Sequence, residues 1–289
     1  MSTQSSQSRP SATAAILIAS VLWGTTGTAS SLAPAGAPAL IVGAAGLTLG
    51  GALLLLTSRA GLRLLLTRQP LVLLGAAAVA TYPLSFYPAV ASTGVAVATV
   101  LTLGSGPVFT GLLARVLHGH RLTGHWALAT TAAVLGCAVL VIGAEGSTHL
   151  NPTGILLALL AGLAYAAYTV IGAHLIDQGA DARGAVGSMF GGAALLTLPV
   201  VLLSQPVWLT TPRGAAVAAH LALITTFLAY LLFGHGLRHT TAAVAATLTL
   251  LEPAVATVLG ILVTGEHLPA LSWTGLAVLG AGILVLAFD

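Results

Sequence analysis

Ten long apolar stretches, separated by short polar loops, constrain this chain more than any other feature. Of its 289 residues, 57% are hydrophobic and only 5% are charged, whereas about a quarter of the residues of a soluble domain are charged. Each stretch has the roughly 20 residues that an α-helix needs to cross a hydrocarbon core about 30 Å thick. A helix also satisfies its own backbone hydrogen bonds inside lipid. The sequence therefore predicts an all-α membrane protein with ten transmembrane helices.

The predicted helices leave no segment long enough for a soluble domain. Residues 1–12 are rich in Ser, Thr and Gln, and we expect them to form a flexible cytoplasmic tail. The predicted helices are 13–33, 37–57, 70–89, 94–114, 124–143, 153–174, 183–203, 214–235, 240–262 and 270–288.

The positions of the arginines indicate how the chain is oriented. If the amino terminus is cytoplasmic, Arg213 is the one arginine that lies outside. The arginines that then lie inside are Arg9, Arg59, Arg63, Arg68, Arg115, Arg121, Arg183 and Arg238. Short loops that carry positive charge stay in the cytoplasm. We therefore expect a multi-pass protein of the inner (plasma) membrane with both termini cytoplasmic.

The two halves of the chain resemble one another at an offset of about 142 to 146 residues. The aligned pairs are Trp23 with Tyr165, Gly106-Pro107 with Glu252-Pro253, and 119–122 with 265–268. A repeat of five helices ends on the opposite side of the membrane from its start, so the second copy is inverted. The predicted fold is therefore two inverted five-helix repeats, 13–145 and 146–289, around a central cavity. Such halves can open a shared site to either face in turn, which is alternating access.

Several short motifs resemble those of the drug/metabolite transporter superfamily, and of its ten-helix EamA-like branch in particular. The motifs are Trp23-Gly24-Thr25, residues 91–98 and 104–107, Leu251-Glu252-Pro253 and Gly265-Glu266. The resemblance covers essentially the whole chain. It implies a transporter of small molecules, with export as the expected direction.

At three positions the chain departs from the pattern that the resemblance implies. Members of the branch commonly carry an arginine where this chain has Gly46, a basic residue near Ser92, and an acidic residue where it has His120. If those charges support gating or cytoplasmic loop packing in the family, the details of its coupling mechanism do not carry over to this chain. The departures leave the expected fold unchanged.

Glu252 is the candidate residue with the clearest chemistry, because an ionised carboxylate inside an apolar helix costs several kcal/mol unless it is paired or hydrated. We interpret it as a substrate-binding and proton-coupling group that faces the cavity. The alternative is a carboxylate capped by nearby hydroxyls such as those of Thr247 or Thr249, or one that lies closer to the membrane interface. The neighbouring Pro253 and its repeat mate Pro107 are expected to kink their helices near the middle of the membrane.

Aromatic side chains are few and several lie deep within the predicted spans. The candidates for a substrate pocket are Trp23, Tyr82, Phe86, Tyr165, Tyr168 and Tyr230. Such a pocket suits an apolar, aromatic or cationic substrate, the last through cation–π attraction. The alternative is a belt of aromatic side chains at the membrane interface, which we favour for Tyr87 and Trp126.

The leading hypothesis is a secondary transporter that exports a small metabolite, amino acid or drug-like compound, with protons as the candidate coupling ion. An importer or facilitator of an organic cation is the alternative. An intramembrane enzyme is disfavoured, since the spans contain no paired aspartates. No Walker motif is present, and we expect no cofactor, no bound metal at the loop histidines His118, His120 and His125, and no nucleic-acid partner. The protein is expected to act as a monomer or a homodimer.

Overall fold

A computed structural model of the protein describes residues 5–67, 69–119, 121–144, 151–264 and 269–288. Within these ranges the chain forms helices and no β-strand, and ten helical stretches are long and apolar enough to cross a membrane. The predicted all-α membrane fold is thereby confirmed. Several features of the sequence predictions lie outside the described residues: Arg68, His120, the repeat boundary at 145–146, and the aligned segment 265–268 with its motif Gly265-Glu266.

Most of the spans are single uninterrupted helices. The first to the seventh are Ser5–Ser31, Ala39–Leu56, Gln69–Thr93, Val95–His118, Gly124–Ala144, Pro152–Asp177 and Ala182–Leu203, and the tenth is Ala270–Ala287. The first helix thus begins inside the segment expected to be a flexible tail. Gly94 and Gly119, both with positive φ, flank the fourth span, because glycine adopts this conformation without steric cost.

The eighth and ninth spans are interrupted, which the sequence did not predict for the eighth. The eighth consists of Pro212–His220, a π-helical segment Leu221–Leu228 and Ala229–Leu237. The ninth consists of Ala242–Leu248 and Leu251–Leu259, separated by a turn, and then a π-helical segment Gly260–Thr264. Segments of π-helix are rare and are frequent at functional sites.

Two short helices between the spans were expected to be loops. Arg59–Thr67 follows the second span, and the 3₁₀ helix Val207–Thr210 precedes the eighth. In the first of these, Leu62 and Leu66 are exposed on one face, while Leu64 and Leu65 pack against the protein core. With nine residues this helix is too short to cross a membrane, and its two exposed leucines and two arginines are typical of a helix at the membrane interface.

The contacts between spans form a pattern that is unchanged when the two halves of the chain are exchanged. The fifth span packs against the tenth, and the second against the seventh. The third packs against the sixth as the eighth does against the first, and the fourth against the sixth as the ninth does against the first. This is the packing expected for two repeats related by a pseudo-two-fold axis.

Two glycines bring the fifth and tenth spans into backbone contact. A Cβ at Gly136 would collide with the backbone nitrogen of Leu279, and a Cβ at Gly275 with the backbone nitrogen of Leu140. Because each glycine faces the other helix in the same way, the contact is itself symmetric. Small residues permit such close approach between membrane helices. The Ser272 hydroxyl adds a hydrogen bond of 2.9 Å to the carbonyl of Leu140.

Candidate functional site

A cavity of about 480 Å³ lies between the two halves of the chain. The first span contributes residues 23–30 of its second half, the second span residues 43–47 of its first half, and the third span residues 79–87 of its second half. Because successive spans run in opposite directions, these segments all lie at the end of the protein away from its termini. The cavity therefore extends from the middle of the spans toward the face opposite both termini.

A continuous series of aromatic rings lines the cavity. All six aromatic residues selected from the sequence are in its wall, together with Phe190. The ring centroids of Trp23 and Tyr230 are 4.8 Å apart, and those of Tyr230 and Phe190 are 4.0 Å apart. On the other side, Tyr165 lies 5.3 Å from Tyr168 and 6.5 Å from Tyr82. Tyr82 in turn stacks on Phe86 at 6.0 Å.

Hydrogen bonds across the helices hold several of these rings in place. The Trp23 Nε1–H donates to the carbonyl of Thr225, at 2.8 Å, inside the π-helical segment of the eighth span. The Thr249 hydroxyl donates to the carbonyl of Ala246 at 2.8 Å, so it accepts from the Tyr165 hydroxyl 2.9 Å away. The hydroxyls of Tyr168 and Tyr230 are 3.0 Å apart. The rings of Trp23, Tyr165, Tyr168 and Tyr230 are thus held in place by hydrogen bonds within the protein.

Glu252 also lines the cavity and is half-buried. It shares the cavity lining with the tyrosines Tyr82, Tyr87, Tyr165 and Tyr230. Among the described residues, no hydrogen-bond or ion-pair partner of its carboxylate is seen. No arginine, lysine or histidine is found among the described residues that line the cavity. Glu252 is consequently the one formally charged group in that described lining.

The hydroxyls that could cap Glu252 bind elsewhere. Thr247 donates to the carbonyl of Ala243 at 3.1 Å and pairs with Thr130 at 2.8 Å. Thr249 is engaged by Ala246 and Tyr165, as described above. The interpretation of Glu252 as a carboxylate capped by these two threonines is therefore wrong.

Because the ninth span is interrupted, Glu252 is the second residue of a new helix, Leu251–Leu259. Proline has no N–H, and its ring clashes with the carbonyl four residues earlier, which here is the carbonyl of Thr249. That carbonyl accepts the backbone N–H of Glu252 at 3.0 Å instead. The carbonyl of Thr249 is therefore hydrogen-bonded within the turn and is not available to a ligand as an unpaired acceptor. The turn at 249–250 is the local consequence of Pro253.

The two expected kinks differ. Pro253 follows the turn in the ninth span, whereas the fourth span continues as one helix through Pro107. Beside Pro107, a Cβ at Gly106 would lie 3.1 Å from the Tyr165 ring. A bend at Pro107 stays a prediction.

The two aromatic residues assigned to the membrane interface differ. Tyr87 lines the cavity, and its ring covers Gly43, where a Cβ would collide with it. Trp126 is partly buried near the start of the fifth span, where it packs against Gly111, and its place at the interface stays a prediction. Tyr87 is near a helix end in the sequence, but helix rotation turns its side chain toward the cavity. Rotation cannot be read from spans that are apolar on all sides.

Other cavity residues carried no signal in the sequence. Phe190, Thr225, Thr226 and Thr249 line the cavity, yet they belong to residue types that also occur in ordinary membrane helices. Among the positions that depart from the family pattern, Gly46 lines the cavity and a Cβ there would lie 2.7 Å from the Leu221 Cβ. Ser92 bonds locally, its hydroxyl donating to the carbonyl of Pro88 at 2.8 Å.

The fold defines an all-α, multi-pass membrane protein with a central cavity between two halves. Residues 11–142 and 152–288 each match the EamA-like transporter family, and each match covers five of the ten spans. The chain belongs to this family and is a transporter.

Known relatives agree with this assignment. The chain is 38% identical over 275 residues to the uncharacterised transporter YwfM of Bacillus subtilis (strain 168), covering 94% of this chain and 92% of that protein. It is 32% identical over 183 residues to the threonine/homoserine exporter RhtA of Escherichia coli (strain K12), covering 62% of this chain and 58% of that exporter. A crystal structure that is 21% identical covers 96% of both chains with a TM-score of 0.78, which supports the fold.

Proposed function

We propose that this protein is a secondary active transporter that exports a small organic molecule across the inner (plasma) membrane by alternating access. The observation that carries the proposal is the aromatic cavity with a single carboxylate, Glu252, between two halves of matching architecture. Its volume lies within the range of roughly 300–1,000 Å³ that is usual for small-molecule sites. The relatives named as transporters or exporters support the same class and direction.

The proposed orientation has both termini in the cytoplasm, so that the cavity is directed outward in this conformation. The arginines near the ends of the spans support this orientation. The opposite half is closed by packed side chains, among them Met189 against Gly75 and Ile16 against Gly236. An inward-directed state would then arise when the repeats, 13–145 and 146–289, exchange conformations.

Protons are the proposed coupling ion and Glu252 the residue that binds them. With no partner for its carboxylate among the described residues, Glu252 is stabilised in the membrane either by a proton or by a cationic substrate. The two ligands would compete for one group. Proton entry from outside would release the substrate there, and substrate binding from the cytoplasm would release the proton.

Purified protein in proteoliposomes tests this mechanism. We expect a transmembrane pH gradient to drive flux of at least one compound from a panel of amines, amino acids and dyes. The Glu252→Gln variant should lose that dependence on the gradient. Asp177→Asn, which removes the same charge from the exposed end of the sixth span, should retain it. Proton-driven flux that persists in Glu252→Gln would remove Glu252 from the coupling mechanism.

A further inference from the structure

We infer that the substrate is a small organic amine that binds as a cation and carries no free carboxylate. The inference rests on the proposed function and specifies the chemistry of the same cavity. It separates this chain from its exporter relatives that are named for threonine and homoserine, because those substrates carry an amine and a carboxylate together.

The charge of the cavity gives the first argument. Glu252 can pair with one ammonium group, whereas the described lining holds no arginine, lysine or histidine that could pair with a carboxylate. Placing an unpaired charge in a low-dielectric site is costly. A zwitterionic amino acid would therefore satisfy its amine at Glu252 and leave its carboxylate without a counter-charge.

The hydrogen-bond donors of the aromatic wall give the second argument. An uncharged site can still bind a carboxylate through several convergent N–H and O–H groups. Here the Trp23 N–H is bound to the carbonyl of Thr225, and the Tyr165 O–H to the hydroxyl of Thr249. One proton of the pair Tyr168 and Tyr230 lies between their two oxygens. These three donors of the wall are thus occupied before a substrate binds, and the remaining hydroxyls, such as that of Tyr82, are neutral groups that cannot balance the charge of a carboxylate.

The aromatic rings give the third argument. A cation attracts the face of a tyrosine or tryptophan ring within about 6 Å, and the attraction strengthens when water is excluded. Tyr82 lies in the wall of the cavity that Glu252 also lines, and its ring adjoins those of Phe86 and Tyr165. The same rings present apolar area for the body of the ligand. Carboxylate and rings together are complementary to an ammonium group attached to an apolar or aromatic skeleton.

Pairs of compounds that differ only in a carboxylate test the inference. Phenethylamine is compared with phenylalanine, and tryptamine with tryptophan, as competitors and as transported substrates in proteoliposomes under a pH gradient. Binding to the detergent-solubilised protein is measured separately by titration calorimetry. We expect each amine to bind at least about tenfold more tightly than its amino acid, which corresponds to roughly one unpaired polar group.

Two aromatic variants provide a second readout. Tyr82→Leu removes a ring from the cavity and should weaken amine binding by about five- to tenfold, the loss of one cation–π contact. Tyr82→Phe keeps the ring and should weaken it less. Trp273→Leu removes an exposed ring on the tenth span and should leave amine binding unchanged. Equal losses in Tyr82→Phe and Tyr82→Leu would contradict a role for the ring.

The outcomes distinguish this inference from the proposed function. Gradient-driven transport of phenylalanine or tryptophan at rates equal to or above those of the amines overturns the substrate class and leaves the transporter intact. Absence of gradient-driven flux for every compound, with amines still bound, overturns proton-coupled transport. Weak binding of all four compounds overturns the inference about the substrate, whatever the transport measurements show.

Discussion

The fifth and tenth spans, which are repeat mates, are both continuous helices with equivalent glycine contacts, whereas the fourth and ninth spans, also repeat mates, pack against equivalent spans but differ in helical structure. In the first pair, Gly136 and Gly275 each face a backbone nitrogen of the opposite helix. In the second pair, Leu103, Gly106 and Pro107 of a continuous helix align with Thr249, Glu252 and Pro253 of an interrupted one. Both Leu103 and Thr249 line the cavity.

This difference indicates where symmetry is used and where it is lost. The symmetric pair joins the two repeats through equivalent residues. The asymmetric pair supplies a carboxylate, a hydroxyl and a helix break from one repeat only. Under the proposed function, a single binding group at one side of the cavity would give each substrate molecule one preferred site rather than two equivalent ones.

The largest expected effect is the loss of folded protein in Gly275→Ala. The added methyl group would meet the backbone of Leu140, and backbone atoms cannot yield as a side-chain end can. Overpacking of this kind costs about 1–3 kcal/mol. The thermal unfolding of the detergent-solubilised variant measures the effect.

Gly280→Ala is the matched control on the same helix. Among the described residues, no atom lies within 4 Å of a Cβ placed at Gly280, and alanine favours helix over glycine. Its unfolding temperature should equal or exceed that of the wild type. Equal destabilisation by both substitutions would show that the close contact of the fifth and tenth spans is not what matters.

The second effect concerns the interruption of the ninth span. Pro253→Ala restores a backbone N–H and removes the clash with the carbonyl of Thr249, so the helix should become continuous and rotate Glu252 away from its present position. We expect transport to fall by about tenfold or more, since displacement of a binding group by about 1 Å can be costly. Pro107→Ala, in a helix that is already continuous, should have a smaller effect.

Flux in proteoliposomes at matched protein density measures both proline variants. If Pro107→Ala were the more damaging of the two, the fourth span rather than the ninth would be the one that depends on its proline. The comparison of the two spans would then be reversed.

The positions of the spans were predictable, but their interruptions were not. Long apolar runs place a span to within a few residues, as for the seventh, expected at 183–203 and found at Ala182–Leu203. The π-helical segment Leu221–Leu228 is apolar apart from Thr225 and Thr226, and this pattern does not distinguish it from regular helix. Pro253 pointed to a disturbed helix, but the turn itself lies at 249–250, set by hydrogen bonds that only the structure shows.

The residues that line the cavity were partly predictable from the sequence, but the direction in which each side chain points was not. Trp23, Tyr165 and Glu252 stood out because aromatic and acidic residues are rare in this chain. Tyr87 was assigned to the interface because only its distance from the helix end could be read. Its contact with Gly43 depends on how the second and third spans are rotated, and rotation is set by packing between helices.

The third effect concerns the hydroxyl of Thr249, which has no equivalent in the fourth span because Leu103 occupies the aligned position. Thr249→Val removes the acceptor of the Tyr165 O–H and the donor to the carbonyl of Ala246. Loss of a buried hydrogen-bond partner costs about 1–3 kcal/mol, so substrate affinity should fall by roughly fivefold or more. Thr257→Val is the control, because the Thr257 hydroxyl also faces the cavity but bonds only within its own helix, to the carbonyl of Pro253 at 2.8 Å.

Titration of substrate against the two threonine variants separates these roles. Similar losses in both would indicate that any hydroxyl in the cavity serves equally. The specific link between the sixth and ninth spans would then be unimportant.

The smallest expected effect is that of Trp23→Phe, which tests the repeat mates Trp23 and Tyr165. Phenylalanine keeps an aromatic ring beside Tyr230 and Phe233 but cannot donate to the carbonyl of Thr225. One net hydrogen bond is worth about 1 kcal/mol, so the unfolding temperature should fall by a few degrees and transport by only a few-fold. Tyr165→Phe removes the corresponding bond to the ninth span and should cost as much in stability but more in transport, because its partner Thr249 adjoins the helix that carries Glu252. If Trp23→Phe proved the more harmful to transport, the π-helical segment of the eighth span, rather than the interrupted ninth, would be the element that controls the site.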